Sequence, residues 1–194
     1  KIFPLSFSAA ILLAGLTDHA QNSPNTKGSA RGVTLTQLED RLRVEIGGEL
    51  FTEYFFKNVP RPYCYPVIGP GGAPMSRNWP MKDVADEAHD HNHHRSLWYA
   101  HGDINGVDFW SEGKGHGKTV HEKFSQIKSG PDVGWFTALD KWVSQDGKIV
   151  CTGERTLRFH NDRRIDFEVT FKASEGPLTF GDTKEGSMSI RLNE

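Results

Sequence analysis

Cysteine is scarce in this chain. Cys64 and Cys151 are the only two, and neither has a second cysteine nearby. That spacing excludes a zinc ribbon and a CxxC redox centre, leaving two buried strand thiols or one disulfide in an oxidising compartment. Blocks of like charge are missing too. With 23 Lys and Arg against 25 Asp and Glu, the chain has no polybasic arm to neutralise phosphates, so nucleic acid and anionic membrane surfaces are not expected partners. Few windows carry a 3.6-residue apolar period, which argues against a helical protein. There is no GxSxG elbow to mark an acyl-enzyme nucleophile. The GKGHGK loop at 113–118 lacks the GxxxxGK[ST] spacing and the following helix that would cradle a nucleotide phosphate.

The one long apolar run lies at 2–16, just after Lys1. It is shorter than the roughly 20 residues a membrane span needs, and a polar stretch follows it. The expectation is a secretory signal peptide over 1–20, a linker over 21–32 and a folded domain over 33–194, located in the periplasm or outside the cell with no stable membrane insertion once the leader is removed.

What is present is glycine, proline and aromatic residues: 20 Gly, 10 Pro, 12 Phe and 5 Trp in 194 residues. Such a composition favours short strands joined by tight turns within a single domain. Period-2 alternation at 33–38 and 42–46, then Gly47-Gly48 and an aromatic run, predicts a hairpin. Prolines at 60, 62, 66 and 70 predict an extended edge or loop that ends in a glycine turn. Residues 76–88 look irregular. Short strands are expected at 96–101 and 107–110, folded on the Asn105-Gly106 turn. Others are expected at 119–127, 135–143, 149–159, 164–173, 178–181 and 187–192. Spacings of this kind predict an all-β, antiparallel β-sandwich. The chain stops inside a strand-like segment at 190–194, so the sandwich is expected to be incomplete.

Chemistry concentrates at 89–110. His89, His91, His93, His94 and His101 fall within this stretch, five of the nine histidines of the chain, beside Asp90 and Arg95. Clustered imidazoles repel one another when protonated unless a metal, a carboxylate or an anionic ligand uses them. In an extended segment, His89, His91 and His93 would share one face and could hold a divalent metal, while His94 would point the other way. Equally, His91, His93 and His101 could serve as acid-base groups around a small-molecule or carbohydrate substrate, or the histidines could simply be hydrogen bonded. Arg77 and Arg95 are candidate anion-gripping residues with Arg61, and Trp98 is a candidate stacking surface for a sugar, although aromatics in a sandwich are more often core. Glu185, in the turn GDTKEG, is a candidate general base that more often would be a turn former.

The motifs RPYCYPVIGPGGAPMSRNWPMKD, HDHNHHRSLWYAHGDINGVDFW, CTGERTLRF and FGDTKEGSMSIR, in that order, resemble a bacterial family labelled methane oxygenase PmoA. The resemblance covers residue 33 to the end and implies a longer chain than the one in hand. It implies a supersandwich of the galactose-mutarotase type, in which a histidine acts as acid and a carboxylate as base on a sugar. The label itself implies copper or iron on the same histidines and an oxidoreductase reaction.

Overall fold

The computed structural model describes residues 32–184 and 187–193. The expected signal peptide, all but the last residue of the expected linker, and Glu185 lie outside them. Among the described residues the strands are β1 (Val33–Gln37), β2 (Arg41–Ile46), β3 (Glu49–Phe55), β4 (Tyr63–Cys64), β5 (Leu97–Tyr99), β6 (Lys118–Lys128), β7 (Val133–Val143), β8 (Ile149–His160), β9 (Ile165–Lys172) and β10 (Met188–Ile190). They form two antiparallel sheets, one ordered β1-β2-β3-β4-β5-β10 and the other β6-β7-β8-β9. The all-β sandwich expected from strand spacing is the observed architecture.

Alternation explains the core. On β2, Leu42, Val44 and Ile46 point inward while Arg41, Arg43 and Glu45 point away. Together with Phe51, Tyr54, Cys64 and Leu97 they meet Phe136, Ala138, Leu157 and Phe159 of the second sheet. Each such side chain removed from water contributes about 1.5–3 kcal/mol. The two layers are also joined by backbone, since Val33 and Gly130 exchange hydrogen bonds of 2.8 and 3.0 Å.

Three strand expectations need correction. β4 is a central strand, paired with β3 on one side and β5 on the other. Only Tyr63 and Cys64 join the ladder, so prolines at 60, 62 and 66 can flank it without removing a needed donor. Residues 107–110 form no strand. Asn105 and Gly106 do make the turn, both at positive φ, and Ile104 bridges Val107. Beyond it, however, the amides of Trp110 and Ser111 bond the Asp108 carboxylate rather than a neighbouring strand. Residues 178–181 contribute only the bridge from Phe180 to Ile104.

The outer face of β4 and β5 positions the site. Register sets Tyr63 opposite Trp98, and with Ala100 and Trp110 they form a second apolar cluster outside the sandwich core. The irregular segment 76–96 crosses this face, with Met81 packed against the cluster.

Candidate functional site

Segment 76–96 is held at both ends by backbone and by charge. The Arg77 amide donates to the Arg191 carbonyl, and the Arg191 amide donates to the Ser96 carbonyl. Near its middle, the Glu87 carboxylate accepts the amides of Asn78 and Trp79. The decisive local feature is His91, whose φ of 46° places it in the left-handed region. His94 then donates its amide to the His91 carbonyl at 2.9 Å, and the chain turns.

That turn overrides the expected alternation. His94 does not point away from His91 and His93: ring centroids lie 4.5 Å apart for His93–His94, 4.6 Å for His91–His94 and 5.8 Å for His91–His93. His94 stacks on Trp98 at 5.2 Å and meets the edge of Trp110 at 6.0 Å. Burial pushes His94 down to about 4, helped by the charges of His93, His91, Arg191 and Arg77. Near neutral pH this ring is therefore uncharged.

His91 has a different setting. Its Nδ1 lies 2.6 Å from Asp90 Oδ2. An ionised carboxylate only accepts, so Nδ1 carries a proton, and in the neutral ring it is Nε2 that holds the lone pair. Asp90 is in turn gripped by Arg77, through Nη1 to its carboxylate and Nη2 to its carbonyl at 2.9 Å. The Arg77 hydrogen bond, and then the one from His91, hold the Asp90 carboxyl well below the usual carboxylate range. The result is a chain of Arg77, Asp90 and His91 ending at a half-exposed imidazole.

The three imidazoles line one wall of a cleft of about 460 Å³, which Asp108, Trp110, Ser111, Thr183 and Lys184 complete. Burial alone would raise the Asp108 carboxyl, but the amides of Ser111 and Trp110 more than offset this and lower it. Its second oxygen lies 3.2 Å from His116 Nδ1. The sequence places Asp108 just after the histidines and Lys184 in the GDTKEG turn but gives neither a role, and Thr183 carries no signal of its own. The Asx turn D-x-W-S at 108–111 was the available signal for the first.

Several expected site residues have other work. His89 stacks on Trp79 at 4.1 Å and pairs with Asp83 at 3.0 Å. Among the described residues no group of three or more His, Cys, Asp or Glu could hold a metal ion, so His89, His91 and His93 are not assembled as a ligand set. His101 donates from Nε2 to the Gly181 carbonyl at 3.1 Å and accepts at Nδ1 from Ser187 at 3.3 Å. With both nitrogens used, it fastens Gly181 and Ser187 and is absent from the imidazole cleft. Trp98 is 1% exposed and forms a floor under His94, so it offers no stacking face to a ligand.

Arg77 is likewise buried and committed to Asp90, and Arg95 makes a two-pronged pair with Glu112 at 2.7 and 2.7 Å while lying over Tyr63. Neither guanidinium is presented to a substrate. The fully buried Arg61 donates to the carbonyls of His93, Trp110 and Ser111, tying the histidine turn to the opposite wall. Its nearest carboxylate, Glu112, lies at 3.5 Å, and burial lowers Arg61 to about 10.

A family of unknown function, DUF6807, matches residues 41–194. No curated protein and no solved structure matches. This finding corrects the resemblance to the PmoA-labelled family, for which no match is found, and the copper or iron oxidoreductase reading that rested on that label goes with it.

Proposed function

The chain belongs to the DUF6807 family, which supplies no reaction, so we propose from the cleft itself that the protein binds a small carbohydrate-derived molecule and transfers a proton on it, with His91 as the acid-base group. The observation that carries this reading is the 2.6 Å contact between Asp90 and His91, backed by Arg77. Asp90 fixes the tautomer, so Nε2 is the basic nitrogen. When Nε2 takes a proton from a substrate hydroxyl or acidic C–H, the adjacent carboxylate balances the new imidazolium charge. The same nitrogen returns the proton in the second half of the reaction. His94, held neutral by burial, adds no repelling charge beside it. The polar wall of Asp108, Ser111, Thr183 and Lys184 suits a hydroxyl-rich molecule.

The test is proton exchange in deuterated water with a panel of monosaccharides, disaccharides and sugar acids, followed by NMR. Wild-type protein should exchange or convert at least one member. His91→Asn should lose about 10²–10⁴-fold in rate, and Asp90→Asn should lose less but shift the pH profile. Binding without turnover would make the protein a sugar-binding module. Equal turnover by His91→Asn would overturn the assignment of His91.

A further inference from the structure

The imidazole cleft does not end at Asp108. That residue also lines a neighbouring cleft of about 530 Å³ bounded by His116, Gln145 and Asp146. His116, Ser144 and Gln145 in turn line a third, of about 630 Å³, which reaches Lys114, Lys118 and Val120. The second cleft shares Asp108 with the imidazole cleft and shares His116, Ser144 and Gln145 with the third, so the three lie side by side from His91, past the Asp108–His116 pair, to the 113–117 loop and the β7–β8 turn. Each part alone is within the ~300–1,000 Å³ typical of a small-molecule site. Together they offer more room than one sugar ring uses.

The charges along these clefts are not balanced. Glu112 is taken by Arg95 and Arg61, Asp108 by His116 and two amides, and Asp146 by Lys148 at 3.0 Å and by Ser144. Lys114 and Lys118 are both exposed, and no carboxylate among the described residues lies within ion-pair distance of either. Both line the third cleft, Lys114 from the 113–117 loop and Lys118 from the first position of β6, and that loop is fixed from beneath. Gly117 packs its backbone directly on the Phe109 ring, where any side chain would collide.

We infer that these adjoining clefts act as one groove that takes an acidic oligosaccharide, with one sugar unit at the imidazole cleft and the carboxylate or sulfate of a unit further along the chain held by Lys114 and Lys118. The inference rests on the carbohydrate reading of the His91 cleft and adds chain length and charge to it.

The experiment is calorimetric titration of the full chain with uronate and sulfated oligosaccharides of one to six units, beside neutral oligosaccharides of the same lengths. Affinity for acidic chains should rise from one to several units and weaken as salt is added. Lys114→Ala combined with Lys118→Ala should weaken acidic-chain binding roughly tenfold, since each exposed contact contributes only modestly, and should bring it close to that of the neutral chain. Charge reversal at both lysines should weaken it further. Failure of every acidic chain to bind, preference for neutral chains, or affinity independent of length would overturn the inference. His91-dependent turnover of a single sugar would still stand in that case, whereas loss of His91 dependence would bring down the underlying reading instead.

Discussion

His94 shows how one residue's setting turns into a measurable property of the whole protein. Its ring is pushed down to about 4 from an ordinary 6.5, first by burial and then by the neighbouring charges. In the unfolded chain it takes up a proton near 6.5, while the folded protein refuses that proton until near 4. The folded state is therefore favoured fully above about 6.5 and loses stability as pH falls toward 4, levelling below that. The loss should be on the order of 1–2 kcal/mol once solvent screening at a partly exposed ring is allowed for. Denaturant midpoints measured across this range should fall with pH, and His94→Gln should flatten that limb. Asp90 and Asp108, both lowered, contribute stability that is present above the usual carboxylate range and lost only as pH falls below it, so their loss comes at more acid pH than that of His94. None of this was legible in the sequence beyond the density of histidines. Alternation along an extended strand put His94 opposite His91, and a single residue at positive φ reversed that outcome. Backbone sign at a non-glycine position leaves little trace in residue type.

At the scale of elements, the cleft depends on two loops being sewn together. The Asn105 side chain donates to the Pro177 carbonyl and accepts the Thr179 amide, and its backbone amide donates to the Thr179 carbonyl. Gly181 then donates to the Asp103 carbonyl, with its Cα directly against the Asp103 carboxylate. A methyl group at that position would have to displace the carboxylate, which also accepts the Gly106 amide at 2.8 Å. Gly181→Ala should therefore cost about 1–3 kcal/mol through overpacking. It should also shift Thr183 and Lys184 away from the histidine wall, so that kcat/KM on any converted substrate falls together with the denaturation midpoint. An unchanged midpoint would mean that the loop yields without resistance. The sequence showed the Asn105-Gly106 turn clearly, because few dipeptides tolerate two left-handed residues. It did not show that the chain beyond the turn leaves the ladder. There the Asp108 side chain competes for the amides a strand would use, a local effect that apolar periodicity does not register.

The whole molecule is best probed through its two thiols. Cys64 lies on β4 in the six-stranded sheet and Cys151 on β8 in the four-stranded sheet, both free and both fully buried. They belong to different apolar clusters. Two packed strand thiols were one of the two outcomes that cysteine spacing left open. The sandwich itself was legible because turns recur at regular intervals, a property of the chain as a whole that no single local detail can cancel. Burial raises Cys64 to about 12 and Cys151 to about 11, so neither is a thiolate near neutral pH. Labelling by an aromatic disulfide reagent should then be negligible in the native protein and should consume two thiols after denaturation, with or without prior reduction. Because the cysteines sit in opposite layers, exposing both requires the layers to separate. If the sandwich opens as one unit, the two should label at the same rate, and that rate should match unfolding measured by tryptophan fluorescence. Labelling of Cys151 tenfold faster than Cys64 would instead show that β8 opens locally, leaving the β4–β5 face and its histidine cleft in place.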